Sequence, residues 1–162
     1  MRTYRNRQSA FTLVEILIVV IILGILAAIV IPQFTNASQD ARKSSLSSQL
    51  QTIRSQVELY KLQHQDKLPD IITTWDKLTK KTDVAGAAGG TFGPYLQATP
   101  TNPLNTQSGV INGDGSAAPT GATTGWVYDY NSGNGTGKFW ATGSVTTKFF
   151  DEGTGGDVST VP

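Results

Sequence analysis

Phe11-Thr12-Leu13-Val14-Glu15-Ile16-Leu17-Ile18-Val19-Val20-Ile21-Ile22-Leu23-Gly24-Ile25-Leu26-Ala27-Ala28-Ile29-Val30-Ile31 holds a single ionisable side chain. Rising ~1.5 Å per residue as a helix, it is roughly 30 Å long, the thickness of a bilayer's hydrocarbon core. Its one carboxylate, Glu15, lies near the end of the span, where an unpaired charge costs on the order of 2.5 kcal/mol or more. Glu15 is therefore either an edge residue wetted by lipid headgroups or a functional residue with a cationic partner. Upstream, Arg2, Arg5 and Arg7 face no acid within residues 1–10. By the positive-inside rule they hold the N-terminus in the cytoplasm and place the rest of the chain beyond the inner membrane.

A cleaved secretory signal shares the charged start and apolar core, but its core is usually ~7–15 residues and ends at a small-residue cut site. Here the apolar run is longer and the helical pattern continues past it. From Ser9-Ala10-Phe11-Thr12-Leu13-Val14-Glu15 through Pro32, the string resembles the class III signal segment of type IV pilins and type II secretion pseudopilins. The resemblance implies a cut between Ala10 and Phe11 by a prepilin peptidase, which also methylates the new amino group of Phe11. Glu15 then becomes the fifth mature residue, and in that family it neutralises an N-terminal ammonium as subunits pack into a filament. Two charges that are each costly in a water-poor bundle are tolerable as a pair. One departure stands at the cut, where the family's usual glycine is Ala10.

Four segments follow: residues 1–10 as cytoplasmic leader, 11–32 as the transmembrane and assembly half of a helix, 33–66 as its amphipathic half, and 67–162 as a loop-rich β head. Gly24 and Pro32 are soft points of the assembly half. Proline lacks a backbone donor and crowds the preceding turn, which predicts a kink or local opening over residues 28–32. In the filaments of the resembling family, the stretch between these positions can lose helical order. Beyond it, Leu46, Leu50, Ile53, Val57 and Tyr60 recur at spacings of four, three, four and three, one apolar stripe on a helix that ends near Gln65. That stripe predicts a spine against which the head packs.

Sixteen of the 17 glycines fall at or after Gly86, which marks the head as rich in loops. Residues 74–78 read as a short helical turn, and residues 85–90 and 112–125 as loops. Residues 126–130 alternate as a strand, with residues 138–142 as its hairpin partner. The aromatics Trp126, Tyr128, Tyr130, Phe139 and Trp140 predict a small antiparallel sheet fastened to the helix rather than a ligand-stacking platform. The fold class is α+β and pilin-like. Without cysteine, the head has no disulfide to support it in an oxidising location.

The head also resembles the major pseudopilin branch in the order of its blocks, Lys67-Leu68-Pro69, Gly93-Pro94-Tyr95-Leu96 and Thr101-Asn102-Pro103-Leu104. Asn102 and Leu104 stand where that branch usually carries aspartate and tryptophan. Major pseudopilins commonly hold calcium in a C-terminal acidic loop, and the comparable segment here offers Asp151, Glu152 and Asp157. Hard oxygen ligands on a glycine-bent loop suit Ca²⁺, and a solvated tail is the alternative.

Chemistry of other kinds has little to build on. His64 is the only histidine and there is no cysteine, so neither a transition-metal site nor a nucleophile dyad is expected. No glycine-rich segment ends as a phosphate loop does. The chain carries 13 basic and 12 acidic side chains, and loss of the three leader arginines leaves 10 against 12, a balance in which nothing suggests a nucleic-acid surface. The expectation is a structural subunit and not an enzyme: a single-pass inner-membrane protein with a periplasmic head, which polymerises through its N-terminal helix into a pseudopilus that drives protein export. The resemblance implies minor pseudopilins, the prepilin peptidase and an inner-membrane assembly platform as partners. The alternatives are a type IV surface pilus subunit, which many disulfide-closed relatives make less fitting for a cysteine-free chain, and a membrane-tethered binding module.

Overall fold

The computed structural model describes residues 11–161, and the leader including Ala10 lies outside them. The chain divides into two units, one up to Gln39 and one from Asp40 onward. Helix α1, Leu13–Gln63, crosses that division. Among the described residues it is the one helix long and apolar enough to cross a membrane.

In the first unit, helical structure continues through Gly24 and Pro32 without the predicted opening. Proline at 32 removes one i to i−4 bond, and helix already formed on both sides keeps propagation favourable across it. The Thr35 hydroxyl adds a bond to the Ile31 carbonyl at 3.1 Å in the same turn. Every residue from Phe11 to Arg42 is exposed.

In the second unit the stripe is buried where its spacing placed it. Leu46 and Leu50 are fully enclosed, and Ile53, Val57 and Tyr60 nearly so. His64 continues the stripe by one more turn and is equally enclosed. Gln65 and Asp66, both at positive φ, then stop the helix, with Asp66 N–H donating to the Lys61 carbonyl at 2.9 Å. A short helix α2, Asp76–Thr79, follows where the helical turn was expected and buries Leu78.

Three strands form the principal sheet: β1 (Gly109–Asn112), β2 (Thr124–Tyr128) and β3 (Phe139–Ala141), in that spatial order. The expected hairpin is β2 with β3, antiparallel, with Trp126 opposite Ala141 and Tyr128 opposite Phe139. The sheet is mixed, however, because β1 lies parallel to β2. Asn112 therefore ends a strand, and Thr124 and Gly125 begin one, so the predicted loop shortens at both ends. A second antiparallel pair, β4 (Phe149–Phe150) and β5 (Asp157–Val158), joins through a bridge between Thr142 and Phe149.

Strand alternation separates two clusters. Trp126, Tyr128, Phe139 and Ala141 pack with the α1 stripe, Ile71, Trp75 and Leu78. Val127 and Trp140 belong instead with Phe149 in a second cluster, against which Ile111, Val158 and Val161 pack. Trp140 therefore does not fasten the sheet to α1 as the sequence reading had it, since it is one residue out of phase with Phe139. The indoles of the first cluster keep partners: Trp75 Nε1 donates to the Ser108 carbonyl at 2.9 Å and Trp126 Nε1 to the Pro100 carbonyl at 3.2 Å.

Asn102 ties these pieces together. It is fully buried, its Nδ2 donates to the carbonyls of Gly125 (3.0 Å) and Thr142 (2.8 Å), and its Oδ1 accepts from Leu104 N–H at 2.9 Å. An aspartate there would turn a third acceptor toward two carbonyls. Asn102→Asp is expected to cost at least about 2 kcal/mol at neutral pH, because a buried charge would lose both donor bonds; urea unfolding followed by tryptophan fluorescence measures it. Tyr128 gives the opposite case, since its buried hydroxyl has no hydrogen-bond partner. Tyr128→Phe is expected to leave stability unchanged or raise it by about 1 kcal/mol in the same assay.

Candidate assembly site

The start of α1 is built by Thr12 and Glu15. The Thr12 hydroxyl oxygen accepts the Glu15 N–H at 3.2 Å, while Glu15 Oε2 accepts both the Thr12 N–H and the Thr12 hydroxyl at 2.8 Å. This is a capping box: residue N3 returns the bond it receives from the N-cap, and two helix-end donors are satisfied together. The carboxylate also sits at the positive end of the helix dipole. Sequence reading singled out Glu15 and passed over Thr12, although Thr-x-x-Glu ahead of an apolar run carries that signal.

Phe11, directly before the cap, is 80% exposed. At Gly24 nothing lies within 4 Å of where a Cβ would stand, so no packing within the chain requires glycine there. Pro32 lies inside the helix on the same exposed segment. Glu15, Gly24 and Pro32 thus share one uncovered apolar helix with Phe11 just ahead of its cap, and Ala10 falls outside the described residues.

The acidic loop is arranged differently. Asp151 closes its own turn, accepting from Gly153 N–H at 2.9 Å and the Thr154 hydroxyl at 2.6 Å. The Thr154 hydroxyl, with Gly153 N–H, holds its carboxyl below the usual carboxylate range. Glu152 takes two bonds from the Arg54 guanidinium, at 2.7 and 3.1 Å, and Arg54 also donates to the Phe139 carbonyl at 2.7 and 2.9 Å. Asp157 accepts from Ser144 N–H, the Ser144 hydroxyl and Val145 N–H at 3.1, 2.7 and 3.3 Å. The three carboxylates serve three separate sets of donors, and among the described residues no group of three or more His, Cys, Asp or Glu side chains could hold a metal. As a set of calcium ligands they do not fit.

The remaining chemistry is structural. His64 stacks flat on Tyr60 with centroids 3.7 Å apart, and its ring nitrogens contact the Tyr60 carbonyl (2.8 Å) and the Thr82 hydroxyl (2.9 Å). Burial raises the Tyr60 hydroxyl to about 12. Trp126, Tyr128 and Phe139 are inaccessible, so these three rings offer no face to a stacked ligand.

Comparisons with known proteins agree with this layout. Residues 5–31 match the family model described as the prokaryotic N-terminal methylation motif. The chain is 43% identical over 58 residues to the type II secretion system core protein G of Pseudomonas aeruginosa, covering 36% of this chain and 41% of that protein. It is also 35% identical over 85 residues to the type IV major fimbrial protein FimA of Dichelobacter nodosus, covering 52% of this chain and 50% of the relative. The matches to these two relatives therefore span half of their length or less. No solved structure matches significantly. A longer match is to the type II secretion system core protein G of Aeromonas hydrophila, 30% identical over 100 residues and covering 61% of this chain and 69% of that protein. By that similarity, which covers more than two thirds of the relative's length, the chain belongs to the type II secretion system core protein G family.

Proposed function

We propose that the chain is the repeating subunit of a periplasmic type II secretion pseudopilus. It is anchored in the inner membrane by the first half of α1 until it enters the filament, and it acts by assembly and not by turnover. The observation that carries this reading is the uncovered apolar helix with one carboxylate fixed at its N-terminal end. Such a surface requires lipid or other subunits around it, and a helix face of this length is what a homopolymer supplies.

In this reading a prepilin peptidase cuts between Ala10 and Phe11 and methylates the Phe11 amino group. Thr12 presents the Glu15 carboxylate at the helix end where that ammonium then lies, so that Glu15 neutralises the amino group of a neighbouring subunit. Gly24 and Pro32 give the packed segment its room to adjust. Minor pseudopilins and an inner-membrane assembly platform complete the apparatus. The similarity to a fimbrial protein favours, as second reading, a surface pilus subunit. Electron microscopy of the cell surface separates the two, because only the second produces long external filaments at native expression.

Two measurements test the assembly reading. Intact mass and N-terminal fragmentation of the protein from its native membrane are expected to give a chain that begins with N-methylated Phe11; a retained Met1 or a cut near Ala28 overturns the pathway. Glu15→Leu is expected to accumulate as a stable, correctly inserted protein while crosslinked multimers and export both fall at least about tenfold, as expected when a buried charge loses its partner. Normal export by that variant would leave a tethered module in place of a filament subunit.

A further inference from the structure

The family's acidic loop and the geometry of this head disagree, and the disagreement is informative. Calcium takes ~6–8 oxygens at 2.3–2.6 Å, which requires carboxylates and carbonyls to converge on one point. Here each acid is turned toward hydrogen-bond donors of the protein itself. Asp157 reaches across to the segment after β3 and takes three donors from Ser144 and Val145. Gly143 admits that approach, since a Cβ at this position would overlap Asp157 Oδ1. Glu152 has a permanent cation in Arg54, which adds two bonds to the β3 backbone at Phe139. Between them, the Asp151 turn is closed by Gly155 N–H on the Asp151 carbonyl at 2.7 Å and Asp151 N–H on the Gly156 carbonyl at 2.9 Å.

We propose that the segment from Phe149 to Val158 is clasped to the head by protein donors alone, Ser144 and Val145 on Asp157 and Arg54 on Glu152, so that the head reaches full stability without calcium. A guanidinium that binds a carboxylate in two places and a backbone carbonyl in two more links three pieces, α1, β3 and the loop. Ser144 and Val145 N–H groups are donors and repel a cation, so Asp157 in this position is oriented for hydrogen bonding and not for an ion. The inference is independent of the filament reading, because it concerns the folding of the head.

The test uses the full chain in detergent micelles, stripped with chelator and melted in 1 mM EGTA or 1 mM CaCl2, with near-ultraviolet circular dichroism as readout. The two midpoints are expected to agree within about 1 °C, whereas an ion held with a Kd of about 10 µM would separate them by roughly 5 °C or more. Asp157→Asn and Glu152→Gln are expected to lower the midpoint by several degrees equally in both buffers. A calcium-dependent rise above about 2 °C in the unmodified chain overturns the proposal, as does binding of one calcium per chain by calorimetry. Variants that lose stability only in calcium, or in neither buffer, overturn it as well. Should a variant fail to fold, the comparison on the unmodified chain still decides.

Discussion

The head rests on one packing contact, the α1 stripe from Leu46 to Tyr60 against the sheet face of Trp126, Tyr128 and Phe139. Each large apolar side chain fully enclosed there contributes on the order of 1.5–3 kcal/mol. Nothing else in the head offers as much: the strands have two to five residues, and no disulfide crosses the loops. A sheet this small does not hold its own shape in water, so the helix acts as its missing layer. The second cluster of Val127, Trp140 and Phe149 then depends on the first, because the same strands display both faces.

The same helix obeys the opposite rule in its first half. Its side chains are apolar on every face and exposed on every face, so neither a stripe nor an inward side exists within the chain. The one ionisable group of residues 11–32 stands at their start, where Thr12 and Glu15 satisfy each other. A carboxylate with local donors is far cheaper in an apolar setting than a bare one, which is how one acid is accommodated ahead of 24 residues without a charge.

Legibility in the sequence followed the range of each interaction. Period 3.6 gave the stripe, and alternation with glycine-rich turns gave the β2–β3 hairpin, because both signals lie within a few residues. The parallel pairing of β1 was not legible: four residues with one buried side chain leave no pattern, and the partner strand lies beyond a loop of small polar residues. His64, a lone histidine with no metal or dyad partner in the sequence, extends the stripe by one turn because Tyr60 and Thr82 meet its ring. The Glu15 end of the site was plain as a lone charge in an apolar run. The fate of the acidic loop was not, since Arg54 and Glu152 are 98 positions apart and only the folded chain brings them together.

Polar groups therefore do what the apolar core cannot. Leucine, tryptophan and phenylalanine collapse a spine and a sheet but tolerate several registers and angles between them. Asn102, with a donor group that faces two carbonyls and an acceptor that faces an N–H, fits one arrangement of the residue 100–107 loop on β2 and β3. Arg54 does the same for the C-terminal loop, and His64 for the end of α1. Each is inside or beside the core, each bridges segments far apart in the chain, and each would leave unpaired groups in any other packing. A head with few residues in regular structure is thereby held to one arrangement, with the apolar stripe supplying the energy and three polar side chains the selection among alternatives.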